Sequence, residues 1–214
     1  MGRAGVRLVL ASGNGNKHRE FTGFFASIAP LAGGNLELVT ADGPGEVEEI
    51  GSTYEENALI KAGAWANFTG LPAIADDSGL EVRSLGWGPG IHSARVARGS
   101  DLERASWLLG RLEGAPDRRA CFVACLVIAF PTTPDGRRHG YFSSEGRCWG
   151  NIANSPSGSS GFGYDPVFIP DGLGVTFAEL GPEEKSKISH RAIAMAGVAQ
   201  MIKSVIKYIT VCGI

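Results

Sequence analysis

Short apolar runs alternate with helical patterns in the first half of the chain, and this alternation restricts the fold more than any other feature. Residues 6–11 form an apolar run typical of a buried strand, and a helix with phenylalanines at helical spacing is predicted to begin near Asn16. Residues 35–40 predict a second strand. Thr53 and Glu56 then form a capping box at the start of a second helix. Strands that alternate with helices are typical of an α/β protein.

The second half of the chain is richer in strand patterns. Residues 120–130 and 140–150 flank a turn-rich stretch, which predicts a hairpin or a long antiparallel pair. Ser100 begins a further capping box, and Ser189 caps a C-terminal amphipathic helix. Because no repeat or clear linker interrupts the chain, we predict a single domain over residues 1–214 with a mixed sheet.

Composition excludes several classes of partner. The net charge of −2 supplies no global basic field, so we expect no nucleic acid partner. The apolar run "CFVACLVIAF" is too short to cross a bilayer as a helix, so we expect no membrane partner. The four cysteines show no CxxC spacing, and Cys121 and Cys125 are predicted to be buried structural thiols on one side of a strand. These features predict a cytoplasmic, reduced protein.

The glycine-rich turn at residues 12–17 is the first candidate site. A P-loop needs Ser or Thr after its lysine, and the dinucleotide fingerprint needs a third glycine, but His18 occupies both places. Two alternatives remain, a simple strand-to-helix turn and an anion site at a helix start. Charged Lys17, His18 and Arg19 are each unfavourable at this end of the helix dipole by about 0.3–1 kcal/mol. Their placement therefore favours a negative partner such as phosphate.

Adjacent carboxylates at Asp76 and Asp77 form the second candidate site. Mg²⁺ commonly uses one or two protein carboxylates together with substrate phosphates. The alternative is a polar turn that interrupts the apolar strand. Neighbouring strand residues point to opposite faces, so we expect at most one of the two carboxylates to face the core. Glu48 and Glu49 lie in an acidic loop and could either add a ligand or form a solvated face.

Two further stretches complete the candidate set. Residues 159–168, "SSGFGYDPVF", suit either a loop that closes over a planar group or a rigid hairpin connection. After Ser189, His190 and Arg191 place cations at another positive helix start, as Lys17 does. A phosphorylated, planar ligand satisfies all four features, which predicts a Mg²⁺-dependent nucleotide-binding protein.

Six segments, in this order, resemble the inosine/xanthosine triphosphate pyrophosphatase family. They are "SGNGNK", "TYEENALIKA", "LPAIADDSGLEV", "PGIHSAR", "GFGYDPVF" and "EEKSKISHR". Any one of them is a weak signal, but six in register over nearly the whole chain are specific.

The resemblance implies a fold and an activity. The implied fold is α/β, a single elongated mixed-sheet domain with two lobes and a central cleft, and the implied assembly is a homodimer. The implied reaction is Mg²⁺-dependent hydrolysis of ITP, dITP and XTP to monophosphate plus pyrophosphate, with water attacking the α-phosphorus. Alternatives are a pyrophosphatase for pyrimidine or other modified nucleotides on a similar fold and a nucleotide-binding protein without catalysis.

The resemblance also implies residue roles. Asp77 matches the general base and a metal ligand, and Glu49 matches the second metal carboxylate, with Glu48 as its neighbouring candidate. Asn16 stands where several members have glycine. Asparagine adopts a left-handed backbone conformation more readily than most residues, so we expect the phosphate loop to keep its shape. The implied substrate-binding residues are Ser12, Gly13, Asn14, Gly15, Asn16, Lys17, Ser78, Phe162, Gly163, Tyr164, Asp165, Lys185, His190 and Arg191.

Overall fold

The computed structural model describes residues 6–32, 36–97, 99–137 and 139–212. Asn35, the first residue of the predicted second strand, lies outside these ranges, as do both ends of the predicted domain 1–214. The strands are β1 (Val6–Leu10), β2 (Leu36–Val39), β3 (Ala73–Val82), β4 (Gly88–Gly90), β5 (Arg119–Ala129), β6 (Phe142–Ile152) and β7 (Phe168–Pro170). The helices are α1 (Gly15–Ile28), α2 (Tyr54–Thr69), α3 (Asp101–Arg111), α4 (Phe177–Ile188) and α5 (His190–Cys212).

The described strands form one mixed sheet in the order β2-β1-β3-β5-β6-β7, with β4 paired to β3. Strand β1 runs parallel to β2, with Val6 opposite Leu36, and parallel to β3, with Val9 opposite Ala73. The β3–β4 and β6–β7 pairs are antiparallel. Parallel strands joined by helices and antiparallel neighbours in one sheet confirm the predicted mixed α/β class.

Two compact units divide the chain. The first unit consists of Met1–Asp77, Cys125–Ser144 and Ala194–Ile214, and the second consists of Ser78–Ala124 and Glu145–Ile193. Strand β3 changes unit between Asp77 and Ser78. The prediction of one domain over residues 1–214 stays a prediction.

Small side chains on α2 build the core of the first unit. Ala58, Ala62 and Ala66 are fully buried and recur every four residues, so they form one face of the helix. Ala66 packs with Val9 of β1 and Ala73 of β3. Because alanine adds little bulk, this face of α2 can lie close to the strands that carry the candidate site.

Helix α5 belongs to the first unit from Ala194 onwards, and this part of the helix has an apolar face. Its buried residues after the unit boundary are Ala194, Met195, Val198, Ile202, Val205 and Ile209, which confirms the predicted amphipathic pattern. The segment Phe177–Cys212 contains the one stretch, within the described ranges, that is long and apolar enough to cross a membrane by length and composition. A buried core helix satisfies the same criteria.

Aromatic rings form the core of the second unit. The Phe122 ring lies 4.7 Å from Phe168 and 6.1 Å from Phe177, measured between ring centroids. Tyr164 and Leu108 belong to the same buried cluster. Buried aromatic pairs contribute packing energy beyond the area they bury, so this cluster anchors the loop that precedes β7.

Helix caps agree with most of the sequence predictions. The Ser100 hydroxyl and the Glu103 carboxylate form the predicted capping box of α3, and Ser189 Oγ accepts from Ala192 N at the start of α5. At α2, Thr53 Oγ1 accepts from Glu56 N, but the Glu56 carboxylate accepts from Ser52 N. The predicted box is therefore present in a form shifted by one residue.

Three of the cysteines are buried, and all four are free thiols. Burial raises the pKa of Cys121 to about 11 and that of Cys148 to about 12. A thiol with a raised pKa stays protonated and unreactive at neutral pH. Burial of Cys121 and Cys125 confirms that they are structural residues.

Gly79→Ala is expected to destabilise the second unit. A Cβ at this position would lie 2.1 Å from the Gly90 carbonyl oxygen and 2.8 Å from Ser93 Oγ. Forcing a methyl group into a packed strand costs about 1–3 kcal/mol, and urea unfolding should show that loss. Gly110→Ala is the matched control, because a Cβ there meets nothing within 4 Å on α3. Equal unfolding midpoints for the two variants would contradict this packing.

Candidate active site

The turn between β1 and α1 is held by short-range hydrogen bonds in the first unit. Asn14 caps α1, and its Oδ1 accepts from Asn16 N at 2.9 Å and from Lys17 N at 3.2 Å. Ser12 Oγ accepts from Asn14 N at 3.1 Å. Gly13 is exposed and has open space around it. The turn that we predicted as a phosphate site therefore forms the N-terminal cap of α1 through its own hydrogen bonds.

The basic run after this turn has partners within the protein. Lys17 Nζ lies 2.6 Å from Asp76 Oδ2 and 3.3 Å from the Asp76 carbonyl oxygen. His18 Nε2 lies 2.5 Å from the Ser12 carbonyl oxygen, and the Arg19 guanidinium donates to Asn16 Oδ1. The buried Asp76 carboxylate thus supplies part of the negative charge that the sequence favours near this helix start.

Asp77 is held through both carboxylate oxygens by residues of α2. Its Oδ2 accepts from Asn57 Nδ2 at 3.3 Å, and its Oδ1 lies 3.2 Å from Lys61 Nζ. Burial raises the pKa of Asp77, against the lowering effect of Lys61. A more basic carboxylate is better able to accept a proton from water.

Lys61 connects Asp77 to Glu49 of the acidic loop, which comprises residues 42–52. Its ammonium contacts Glu49 Oε1 at 2.6 Å, the Asp76 carbonyl oxygen at 2.9 Å and Asp77 Oδ1 at 3.2 Å. Burial opposes the charge on Lys61, but the carboxylates of Asp77, Glu49 and Asp76 outweigh it and raise the lysine pKa. Glu48, by contrast, is exposed.

The carboxylate oxygens of Glu49 and Asp77 are of the kind that divalent cations such as Mg²⁺ use as ligands. No group of three or more His, Cys, Asp or Glu side chains suited to a metal occurs in the described parts of the chain. Glu49 and Asp77 nevertheless both contact the Lys61 ammonium, so the two carboxylates lie close to each other. Mg²⁺ commonly needs no more than two protein carboxylates when phosphates supply further oxygens.

A cleft of about 460 Å³ in the first unit lies beside Asp77 and is lined by Glu49, Lys61 and Asp76 among others. It is large enough for a triphosphate group and lies within the range of small-molecule sites. Its lining comes from the β1–α1 turn, the acidic loop, α2 and β3: Ala11, Ser12, Gly13, Asn14, Lys17, Gly43, Gly45, Val47, Glu49, Lys61, Trp65 and Asp76.

One of the two alternatives for the aspartate pair, the polar turn, is wrong. Strand β3 continues from Ala73 to Val82, so no turn interrupts it at Asp76 and Asp77. Both side chains are buried, and the expectation that at most one of them faces the core side of the strand stays a prediction. Each carboxylate receives a lysine from a different helix, Lys17 of α1 or Lys61 of α2, which makes both buried charges tolerable.

The loop before β7 is held rigidly in the second unit. Asp165 Oδ2 accepts from Phe162 N at 2.8 Å and lies 2.5 Å from Lys185 Nζ. Gly163 N donates to Asp101 Oδ2 at 2.7 Å, and Tyr164 OH donates to the Ser93 carbonyl oxygen at 2.7 Å. These bonds support the rigid connection among the two alternatives for this loop.

Two cationic side chains lie close to the Phe162 ring. Lys185 Nζ lies 4.8 Å from its centroid, and the Arg191 guanidinium carbon lies 5.5 Å from it. Arg191 Nη2 also donates to Ser78 Oγ at 3.0 Å. The His190 ring stacks on Phe122 at 4.6 Å with an angle of 8° between the planes. The second unit thus brings together the predicted residues from Ser78, the loop at 162–165 and the α4–α5 junction.

Four residues that build the carboxylate site or hold the loop before β7 were not predicted from the sequence. Asn57, Lys61 and Trp65 on α2 border the carboxylates or the cleft, and buried Ser93 accepts the Tyr164 hydroxyl hydrogen through its carbonyl oxygen. A signal was available for the α2 residues, since positions 57, 61 and 65 share one helix face.

A family model now places the chain among known proteins. The model described as the Ham1 family matches residues 8–201. The chain belongs to the Ham1 family. This membership confirms the resemblance seen in the six sequence segments, since relatives of the chain carry the corresponding enzyme name.

Two curated relatives are named dITP/XTP pyrophosphatase. The one from Deinococcus radiodurans is 46% identical over 193 residues, which cover 90% of each chain. The one from Thermus thermophilus is 45% identical over 203 residues, which cover 93% of each. The solved Ham1 protein of Staphylococcus aureus superposes with a TM-score of 0.78 at 36% identity and covers 92% of this chain and 98% of its own.

Asp165→Asn is expected to destabilise the protein strongly. Asparagine can still accept from Phe162 N, but buried Lys185 loses its carboxylate. Breaking a buried ion pair from one side costs about 3–5 kcal/mol, measurable by chemical unfolding. The matched control is Asp171→Asn, whose ion pair with Arg119 is largely exposed and worth at most about 1 kcal/mol. Similar losses in both variants would contradict the special role of the buried pair.

Proposed function

We propose that this chain hydrolyses deaminated purine nucleoside triphosphates, namely ITP, dITP and XTP, to the monophosphate and pyrophosphate, and so cleanses the nucleotide pool. The names of relatives at 45–46% identity over at least nine tenths of the chain support this activity. The structural observation that carries it is the convergence of Glu49 and buried Asp77 beside a cleft that Lys17 lines.

Asp77 is the proposed general base. The attacking water loses a proton to the Asp77 carboxylate while its oxygen bonds to the α-phosphorus, and the bond from that phosphorus to the bridging oxygen breaks to release pyrophosphate. Hydrogen bonds from Asn57 and Lys61 orient the carboxylate, and burial raises its pKa, which favours proton transfer. Asp77 and Glu49 would hold Mg²⁺, which would supply positive charge to the phosphate oxygens.

The first unit is proposed to bind the triphosphate. Lys17 lines the cleft and offers an ammonium to charge that develops on the leaving pyrophosphate. Because phosphoryl transfer depends mainly on positioning and charge neutralisation, a preformed turn with a fixed lysine suits the reaction. The proposed binding residues in this unit are Ser12, Gly13, Asn14, Gly15, Asn16 and Lys17.

The second unit is proposed to recognise the base. The Phe162 ring supplies a flat apolar face, and Asp165 holds the backbone of its loop. A donor facing the 6-oxo group of hypoxanthine or xanthine would be opposed by the amino group of adenine, which would discriminate against ATP. The other proposed contacts are Ser78, Gly163, Tyr164, Lys185, His190 and Arg191.

A product assay tests the activity. Purified protein with Mg²⁺ is offered ITP, XTP, dITP, ATP, GTP and dTTP, and pyrophosphate and orthophosphate are measured separately. We expect pyrophosphate mainly from ITP, XTP and dITP. Orthophosphate would contradict attack at the α-phosphorus. Preference for dTTP would favour a pyrimidine pyrophosphatase, and binding without any product would favour a non-catalytic protein.

The variant Asp77→Asn tests the base in the same assay. Loss of a general base lowers kcat by roughly 10²–10⁴-fold, and the variant should keep the wild-type circular dichroism spectrum. Asp135→Asn is the matched control, since Asp135 is exposed and pairs with Arg137; it should keep wild-type turnover. Wild-type kcat in Asp77→Asn would contradict the assignment.

The chain is further proposed to form a homodimer in the cytoplasm. Four free thiols suit a reducing compartment. In the second unit, exposed Trp87 and Trp149 lie 5.9 Å apart in an edge-to-face pair, and Arg119 lies over Trp149. Exposed aromatic and arginine clusters are typical of protein interfaces.

Sedimentation velocity tests this assembly. We expect the wild type to sediment with twice the chain mass, and the double variant Trp87→Ser/Trp149→Ser to shift towards the monomer because it loses apolar contact area. Phe68→Ser is the control, since Phe68 is an exposed aromatic residue of the first unit. A wild-type protein of single-chain mass would contradict the proposal.

A further inference from the structure

One face of α2 carries three large polar or aromatic side chains in succession. Asn57, Lys61 and Trp65 lie four residues apart and therefore project from neighbouring turns of the helix. They run beside the buried stripe of Ala58, Ala62 and Ala66 that packs α2 into the first unit. Because the alanine stripe is buried against the core, the neighbouring face of α2 has a defined position in the first unit.

All three side chains contact the acidic loop, defined as residues 42–52. Asn57 Oδ1 accepts from Gly51 N at 2.8 Å, and Lys61 Nζ lies 2.6 Å from Glu49 Oε1. The Trp65 ring lies against Gly43 so closely that a Cβ there would be 2.3 Å from its Cζ2 atom. The loop is therefore held at its beginning, at its glutamate and at its end.

Two of these side chains also hold the strand aspartate. Asn57 Nδ2 donates to Asp77 Oδ2 at 3.3 Å, and Lys61 Nζ donates to Asp77 Oδ1 at 3.2 Å. Asn57 thus uses its amide oxygen for the loop and its amide nitrogen for the aspartate. Lys61 bridges the same two elements with one ammonium.

We propose that Asn57, Lys61 and Trp65 form a clamp, here called the α2 clamp, that docks the acidic loop and so fixes Glu49 beside Asp77. Its members are positioning residues for the carboxylate pair. The inference rests on the proposed function only in taking a divalent cation as the occupant of that pair.

The contact between Trp65 and Gly43 is the place to test the clamp. It is made at the opposite end of the loop from Gly51, and it involves neither carboxylate. Trp65 packs against the buried cluster of Val9, Ala66 and Ala73, and a Cβ at position 43 would overlap three atoms of its ring, so a larger residue there has to displace either the ring or the loop. Gly43→Ala should therefore push the loop away and leave the charges of the site unchanged.

The experiment measures Mn²⁺ affinity of the full-length, nucleotide-free protein from the electron paramagnetic resonance signal of free Mn²⁺. Mn²⁺ is the probe because it accepts the same carboxylate oxygens as Mg²⁺. We expect Gly43→Ala to weaken Mn²⁺ binding at least fivefold and to accelerate hydrogen exchange in residues 42–52. Trp65→Leu should show both effects, since it leaves a gap beside Gly43.

A double variant distinguishes loss of loop docking from a general loss of packing. In the double variant Gly43→Ala/Trp65→Leu, the added methyl group can fill the space left by the indole, so Mn²⁺ affinity and loop exchange should return to within twofold of the wild type. Such strong non-additivity is the signature of two residues in contact. The matched control is Gly63→Ala on the same helix, where a Cβ meets nothing within 4 Å, and it should keep both wild-type values.

The possible outcomes distinguish the clamp from the proposed function. Unchanged Mn²⁺ affinity or unchanged loop exchange in Gly43→Ala overturns the clamp, and so does a double variant as impaired as the sum of the single ones. A wild-type chain that releases no pyrophosphate from dITP overturns the proposed function, while loop exchange in the same variants still decides whether α2 docks the loop.

Discussion

Two adjacent carboxylates in the middle of a buried strand are the constraint on which the first unit depends. Asp76 and Asp77 could not remain charged there without partners, because an isolated buried carboxylate is far less stable than one in water. Lys17 of α1 meets one carboxylate, and Lys61 of α2 meets the other. Strand β3 and helices α1 and α2 therefore have to be in place together before both charges are stable.

The second unit repeats the principle with different residues. Asp165 and Lys185 form a buried pair 2.5 Å apart, and the same carboxylate receives the backbone N–H of Phe162. The ion pair is thus coupled to the conformation of an aromatic loop. Buried ion pairs contribute little net stability in general. The Asp165–Lys185 pair has a second effect here, because Asp165 also holds the backbone of Phe162, whose ring lies near Lys185 and Arg191.

These arrangements explain why a nucleotide-cleansing activity suits the chain. The Ham1 family match extends over residues 8–201, so both units belong to the shared architecture. In the first unit, acidic and basic groups are brought together beside a cleft and are held by helices. A reaction that depends on placing charges around a phosphorus atom benefits from such a rigid set, since little reorganisation is then needed during the reaction.

Much of the fold could be predicted from local patterns, because helix caps and apolar periodicity act over a few residues. Asn14, Ser100 and Ser189 cap helices at or near the predicted starts, and the mixed α/β class followed from the order of elements. The alternative of a turn at Asp76 and Asp77 was wrong. Polar residues usually end strands, and the sequence does not show that lysines from two helices approach these two carboxylates. The sequence by itself determined the family, most of the longer helices and strands, and the candidate carboxylates. Only the tertiary structure decided that Glu49 rather than Glu48 contacts Lys61, that Asn57 and Trp65 hold the acidic loop, and that Lys185 pairs with Asp165. Each of these choices depends on contacts between residues distant in the chain, and burial, which sets their strength, exists only once the chain is folded.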